Sequence, residues 1–255
     1  MRKLWALPFL AVPVFGVWSF WISPGQGWWM PENVSTYGGK IDHLFNVILV
    51  ITGITFVGTE VVLAWFLFKY AEGGPAPRKA HYVHGHHTIE LIWTLIPAAI
   101  LVFIAFYQMA TWKEVKFRSS LPQGPPLARV VAWQFEWRVF YPGDDGKLGT
   151  LDDIVSVNKL YVPVNQPVVI LLRSRDVLHS FFLPNLRLKQ DAVPGMEIPV
   201  WFQVTREGEF DLPCAELCGW GHYKMKGRLV VLPPYKFAEK LGELKKEQMD
   251  QGKVE

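Results

Sequence analysis

The segment Leu91–Trp112, LIWTLIPAAILVFIAFYQMATW, is 22 residues long and carries no charged side chain. A helix needs about 20 apolar residues to cross the hydrocarbon core of a bilayer, so this segment predicts a transmembrane helix. Pro97 is compatible with that prediction, because membrane helices tolerate proline. The preceding run Leu44–Phe68 has 25 residues, among which Glu60 is the single charged one. The two runs together predict a membrane-spanning helical hairpin over residues 41–113.

Positive charges predict the orientation of this hairpin. The loop between the runs contains Lys69, Arg78 and Lys79, whereas the segment before the first run contains Lys40 with acidic neighbours. The positive-inside rule therefore places the connecting loop in the cytoplasm. Everything after Trp112 is then expected on the outer side of the membrane.

Residues 1–40 have two possible interpretations. Arg2 and Lys3 precede an apolar run over 4–22, and this pattern fits a signal peptide whose cleavage site would lie near 25–27. The same run is long enough to span the membrane, and basic residues inside would agree with the predicted orientation. The chain is therefore expected to have two transmembrane helices, or three, before an external segment.

The chain after the hairpin has the pattern of an all-β domain. A proline-containing linker over 114–126 is followed by short β-rich runs separated by Gly, Pro, Asn and Asp clusters. Such spacing predicts a β-sandwich over 127–234, and the tail 235–255 has the pattern of an amphipathic surface helix. The predicted strands are Ala128–Trp133, Trp137–Tyr141, Lys159–Pro163, Val168–Ser174, Ile198–Val204, Gly208–Leu212 and Gly227–Leu232.

Two cysteines lie four residues apart in a segment rich in metal ligands, Cys214-Ala-Glu-Leu-Cys218-Gly-Trp-Gly-His222-Tyr-Lys-Met225, and His179 lies upstream. Thiolate, imidazole and thioether ligands together select copper over magnesium or calcium. Two thiolates on one loop can also bridge two metal ions. The segment therefore predicts a copper site suited to electron transfer.

Other interpretations of the two cysteines stay open at this point. A Cys214–Cys218 disulfide would form in an oxidising compartment, and a tetrahedral zinc site with both histidines is chemically possible. Covalent haem is excluded because it requires C-x-x-C-H. The net charge of +3 includes no lysine–arginine block, so nucleic acid is not an expected partner.

The chain resembles subunit II of cytochrome c oxidase over residues from about 40 to 240. The resemblance rests on the Cys-x-Glu-x-Cys-Gly-x-x-His-x-x-Met loop, the His179-Ser-Phe segment, Leu188-Lys189-x-Asp191-Ala-x-Pro194-Gly195 and Glu90-Leu-Ile-Trp93-Thr94-x-x-Pro97. It implies a cupredoxin-like sandwich that carries the dinuclear copper centre CuA. One copper ion is assigned to His179 and Met225 and the other to His222 and the backbone carbonyl of Glu216. Cys214 and Cys218 would bridge both ions.

The resemblance also implies roles within a larger complex. Electrons from cytochrome c, or from a haem c domain of a bound partner, would pass through CuA to haem in subunit I. There oxygen is reduced to water and protons are pumped. The Glu216 carboxylate would bind magnesium shared with subunit I, and Glu90 would mark the entrance of a proton channel. The alternative is a CuA subunit of a nitric oxide or nitrous oxide reductase.

The sequence departs from the family pattern at the aromatic residue expected to receive the electron. The segment Trp133-Gln134-Phe135-Glu136-Trp137 has Phe135 where the family has tryptophan, so Trp133 and Trp137 become candidates for that role. Four loop acids could steer a basic cytochrome, although acidic turns are usually only solvated. These acids are Asp144, Asp145, Asp152 and Asp153.

Two further features lie in the hairpin region. Glu60 is expected to face subunit I or to be partly protonated, since an ionisable group is costly within a membrane. A histidine cluster in the connecting loop is expected to be solvated rather than metal-bound, and it consists of His81, His84, His86 and His87.

Overall fold

The computed structural model describes residue 4 and residues 6–70 and 82–250. The chain divides into two compact units. One comprises Met1–Met30 with Asp42–Ala110, and the other comprises Pro31–Ile41 with Thr111–Glu255. The basic residues of the connecting loop, Arg78 and Lys79, lie outside the described residues, as do Arg2, Lys3 and His81.

Three helices account for the apolar runs. They are α1 (Ala6–Ile22), α2 (Gly38–Tyr70) and α3 (His87–Lys116). With 33 and 30 residues, α2 and α3 are each long and apolar enough to cross a membrane. At about 1.5 Å per residue they exceed the roughly 30 Å of the hydrocarbon core. The two predicted hairpin helices are confirmed, whereas α1, with 17 residues, is shorter than a usual span, and its role as a signal or an anchor stays a prediction.

The second unit is a β-sandwich of ten strands among the described residues. The strands are β1 (Ala128–Trp133), β2 (Glu136–Tyr141), β3 (Ile154–Val157), β4 (Lys159–Pro163), β5 (Pro167–Ser174), β6 (His179–Leu183), β7 (Leu188–Ala192), β8 (Glu197–Gln203), β9 (Gly208–Pro213) and β10 (Lys226–Leu232). They form sheets of order β3-β2-β1-β5-β8, β4-β10-β9 and β6-β7. Alternating residues of β1, β2 and β5 are buried, and large side chains such as Trp137, Phe181 and Phe202 fill the core.

All seven predicted strands are present, with ends shifted by one residue at most. The strands that the pattern did not predict are β3, β6 and β7. β3 has four residues and pairs only at the sheet edge with β2. β7 contains Lys189, Gln190 and Asp191, which have low β propensity, so its pairing with β6 decides its conformation.

Two segments outside the predicted sandwich also pack in this unit. Helix α4 (Pro234–Asp250) packs Phe237, Leu241 and Leu244 against the core. The segment Pro31–Ile41 belongs to the sandwich unit and not to the amino-terminal one. Its Val34 amide donates to the Asn185 carbonyl at 2.9 Å, so part of the predicted external segment is an integral piece of the β domain.

Candidate metal centre

The ligand-rich loop connects two paired antiparallel strands. Pro213 at the end of β9 pairs with Lys226 at the start of β10, and the Cys214 amide donates to the Met225 carbonyl at 3.0 Å. The loop ends are therefore held together by the sheet. On the other side, the Ala215 amide donates to the Ser180 carbonyl at 2.9 Å, which brings the loop against β6 and its first residue, His179.

The ligand atoms converge in one compact group. Cys214 Sγ lies 3.9 Å from Cys218 Sγ, 3.9 Å from His179 Nδ1 and 3.3 Å from the Glu216 carbonyl oxygen. Cys218 Sγ lies 3.6 Å from His222 Nδ1 and 3.9 Å from Met225 Sδ. With metal–sulfur bonds of about 2.3 Å and metal–nitrogen bonds of about 2.0 Å, ligands of one ion are separated by distances of this size. The structure therefore brings the side chains of the predicted donor set close together, and their assignment as copper ligands stays a prediction.

Both cysteines are free thiols. Their sulfur atoms are 3.9 Å apart, whereas a disulfide requires about 2.05 Å. Cys214, Cys218 and His179 are all buried, and their ligand atoms lie within 4.8 Å of one another. The donor set of two thiols, two imidazoles and a thioether has the soft character that suits copper.

His179 is oriented by an acidic partner that the sequence did not single out. Its Nε2 lies 2.8 Å from Asp176 Oδ1, so its Nδ1 faces Cys214. The carboxylate of Asp176 is in turn held by the Gln134 and Val177 amides, which donate to it at 2.8 and 2.7 Å. Such a partner fixes the tautomer and orientation of a ligating imidazole.

The two thiols differ in acidity. Burial raises the pKa of Cys214, but hydrogen bonding with His179 and the Ser180 amide more than compensates and lowers it to about 6. Burial and the negative charge of Cys214 raise the pKa of Cys218 to about 12. Because a negative charge on one thiol disfavours a charge on the other, a bound cation would stabilise the doubly deprotonated pair.

The ligand loop is also contacted by Gln134 and Phe135, which lie in the turn between β1 and β2. The Gln134 amide group donates to the Cys218 carbonyl at 2.6 Å. The Phe135 ring lies so close to the loop that a Cβ at Gly221 would come within 2.4 Å of it. Gly219 adopts φ +132°, a conformation that side chains rarely allow. Phe135 thus fills the space that two glycines leave free.

The three predicted aromatic candidates have different surroundings. Trp137 is fully buried and packs edge-on against His179, with ring centroids 6.3 Å apart. Trp133 is half-buried, and the guanidinium carbons of Arg138 and Arg175 lie 4.3 and 3.6 Å from its ring centroid. A further aromatic residue, Trp220, was not predicted as a candidate; it lies in the ligand loop and is highly exposed. Its position between two glycines beside the ligands was the available signal.

Glu90 lies in the first turn of α3, where it accepts the His86 amide at 3.1 Å. A carboxylate at this position satisfies a free amide and interacts favourably with the helix dipole. The neighbouring His84, His86 and His87 are exposed, and Glu60 is half-buried. The Glu216 side chain is also half-buried, while its carbonyl faces Cys214.

The four loop acids come after Tyr141, at the end of β2 that lies away from the ligand loop. β2 begins at Glu136, next to Phe135, and ends at Tyr141, about 17 Å away at roughly 3.4 Å per residue. Asp144 pairs with Lys245 at 2.5 Å. Asp145, Asp152 and Asp153 accept hydrogen bonds within the turn. These contacts give the acids a structural role in the turn.

Comparison with known proteins identifies the family. The model of the cytochrome c oxidase subunit II periplasmic domain matches residues 134–231, and that of the subunit II transmembrane domain matches residues 24–111. The alternative cytochrome c oxidase subunit 2 of Bradyrhizobium diazoefficiens is 32% identical over 229 residues, covering 80% of this chain and 79% of that protein. Cytochrome c oxidase subunit 2 of Thermostichus vulcanus is 27% identical, covering 86% of this chain and 79% of that protein.

Among solved structures, the periplasmic domain of subunit II of cytochrome oxidase from Bradyrhizobium japonicum aligns with 50% of this chain and 98% of that chain. The identity is 27% and the TM-score 0.45. The predicted fold class, apolar helices followed by an all-β cupredoxin-like sandwich, is confirmed. The alternative of a nitric oxide or nitrous oxide reductase subunit is not favoured, since both matched domains are those of the oxidase.

The family implies a copper centre, and the cluster of His179, Cys214 and Cys218 is present to hold it. The chain is a membrane protein with a periplasmic domain, and it is part of an oxidoreductase complex. It belongs to the cytochrome c oxidase subunit II family.

Proposed function

We propose that the centre holds two copper ions in the arrangement named CuA. His179 and Met225 bind one ion, and His222 with the Glu216 carbonyl binds the other. Cys214 and Cys218 bridge both. The observation that supports this assignment is that the two sulfur atoms lie side by side and face different imidazoles, His179 at 3.9 Å and His222 at 3.6 Å.

The ligand set is arranged for electron transfer and not for bond chemistry. A copper pair bound there supplies a one-electron redox couple. The side chains contribute a fixed geometry: β9 and β10 hold the loop ends, Asp176 fixes His179, and Gln134 fixes the Cys218 carbonyl. A preorganised ligand set changes little between oxidation states, so little reorganisation opposes the transfer.

Within the complex, this chain accepts electrons from a soluble cytochrome c or from a haem c domain of a partner complex. It passes them to haem in subunit I, where oxygen is reduced to water and protons are pumped. The Glu216 carboxylate binds a magnesium ion shared with subunit I, and Glu90 marks the entrance of a proton channel. The complex resides in a bacterial inner membrane. Support for these roles comes from membership of the cytochrome c oxidase subunit II family.

Electron paramagnetic resonance tests the proposal directly. The full chain, purified in detergent and loaded with copper, is expected to give a hyperfine pattern from one unpaired electron shared over two copper nuclei. Met225→Leu should perturb this spectrum, whereas Met249→Leu, an exposed methionine near the end of α4, should leave it unchanged. A spectrum from isolated single copper ions, or preferential uptake of zinc with no copper signal, would contradict the dinuclear assignment.

A further inference from the structure

Solvent reaches the candidate aromatic side chains of the β1–β2 turn and the ligand loop to different degrees, and these are Trp133, Phe135, Trp137 and Trp220. Trp137 is fully buried. Trp133 is half-buried and lies against two guanidinium groups. Phe135 is half-buried against the backbone of the loop. Trp220 differs from all of them because it is 79% exposed.

Among the three tryptophans, Trp220 also has the most direct connection to the ligands. It lies two residues after Cys218 and two residues before His222, so its ring is joined to both ligands by a few bonds of the same loop. Rates of electron tunnelling fall steeply with distance. An exposed ring in this position therefore offers a shorter route from solvent to the ligands than the buried rings of the sandwich.

The Trp220 ring is supported on one side and open on the other. The Phe135 ring contacts it edge-on, with centroids 5.1 Å apart and an interplanar angle of 70°. Lys224 Nζ lies 5.6 Å from its centroid. Leu217 and Tyr223 of the same segment are also strongly exposed. An exposed apolar patch of this kind marks a contact surface, and tryptophan is typical of its centre.

We propose that Trp220 is the side chain at which the electron donor contacts this chain and through which the electron enters the ligand loop. The partner is a protein with the edge of a haem c exposed, since an apolar haem edge fits against a flat aromatic ring. This inference rests on the proposed function. One electron is transferred, so the donor haem is oxidised by one electron and the centre between Cys214 and Cys218 is reduced by one. No proton is transferred, and no covalent bond forms or breaks.

In this arrangement Phe135 is a positioning residue. It occupies the place where the family has its electron-accepting tryptophan, but here its ring supports Gly219, Gly221 and the Trp220 ring. In this chain the exposed indole therefore lies in the ligand loop, and the β1–β2 turn beside it has a phenylalanine.

The test compares Trp220→Leu, Trp220→Phe and Tyr235→Leu in the assembled oxidase. Tyr235 is an exposed aromatic residue beyond the opposite end of β10, which makes it a matched control. Four quantities are measured: the dissociation constant for a soluble cytochrome c, the second-order rate of reduction by that cytochrome, the rate of reduction by hexaammineruthenium(II), and the copper resonance spectrum.

Trp220→Leu is expected to weaken cytochrome binding and slow cytochrome-driven reduction by about tenfold or more, the usual scale for truncating a central aromatic contact. Trp220→Phe should recover part of both. The small ruthenium reductant needs no docking surface, so its rate, the spectrum and the Tyr235→Leu variant should match the unmodified protein.

The possible results separate the two proposals. Unchanged cytochrome binding and reduction in Trp220→Leu would overturn the role of Trp220. Equal slowing with both reductants would also overturn it, because the variant would then act through damage to the ligand loop. An unmodified protein that ruthenium reduces but cytochrome does not would reject a haem c partner at this surface. A missing dinuclear spectrum in the unmodified protein would instead refute the proposed function.

Discussion

At the scale of single residues, Asp176 acts on the centre through His179 without being a ligand itself. Its carboxylate faces His179 Nε2 at 2.8 Å. Burial raises the pKa of Asp176, but the hydrogen bonds from His179 and from the Gln134 and Val177 amides outweigh it and leave the pKa below its usual value. The group therefore stays anionic while it orients the imidazole. The negative charge favours the more positive, oxidised form of the bound metal.

Asp176→Asn is accordingly expected to lower copper affinity by about 10- to 100-fold, the range usual for a lost outer partner of a metal-ligating histidine. The reduction potential of the centre should rise, since a charge that favours the oxidised form is gone. Chelator competition and a redox titration measure the two effects. Asp211→Asn removes an exposed carboxylate of β9 and is the control. Equal copper affinity in Asp176→Asn and the unmodified chain would contradict this role.

At the scale of elements, the loop between β9 and β10 depends on the Gln134–Phe135 turn beneath it. Gly221→Ala would place a methyl group 2.4 Å from the Phe135 ring. Such overpacking costs about 1–3 kcal/mol, so the loop should hold copper less well, and copper loss to a chelator should become faster.

The second variant, Gly221→Ala with Phe135→Leu, is expected to recover part of the copper retention because the smaller side chain makes room for the methyl group. Gly242→Ala is the matched control, since a Cβ there meets nothing within 4 Å in α4. If Gly221→Ala retained copper as well as Gly242→Ala, the packing of Phe135 under the loop would not constrain the centre.

At the scale of the sandwich unit, the charged groups are separated along the strands. The acidic turn after Tyr141 lies about 17 Å from the loop end of β2, which is more than the Debye length of about 8 Å at physiological salt. Lys224, in contrast, lies within 6 Å of the exposed Trp220 and Tyr223 rings. The donor is therefore expected to respond to Lys224 and not to the acids.

The double change Asp144→Asn with Asp145→Asn should leave the second-order rate of reduction by cytochrome c within about twofold at 0.15 M salt, because screening removes interactions over that distance. Lys224→Glu should change both this rate and its dependence on ionic strength. Stopped-flow measurements over a series of salt concentrations report both. A large loss of rate in the double Asn variant alone would restore the acidic turn as the steering element.

The sequence by itself determined the two hairpin helices, seven strands and the donor set of the metal loop. Each of these follows from local pattern: an uncharged run long enough to span, alternating apolar residues, and ligands at fixed spacing in one segment. Local sequence is enough to predict the chemistry of the Cys214–Met225 segment, because five of the six groups assigned as copper ligands lie within it. His179 is the sixth and lies outside the segment.

Only the tertiary structure decided which residues support that loop and which one faces the solvent. Gln134 and Cys218 are 84 residues apart, and Phe135 meets Gly221 across a similar separation, so no local pattern records their contact. Trp133, Trp137 and Trp220 are equivalent by residue type, and burial alone distinguishes them. Burial depends on how β1, β2 and the ligand loop pack together, which is a property of the assembled sandwich and not of any one segment.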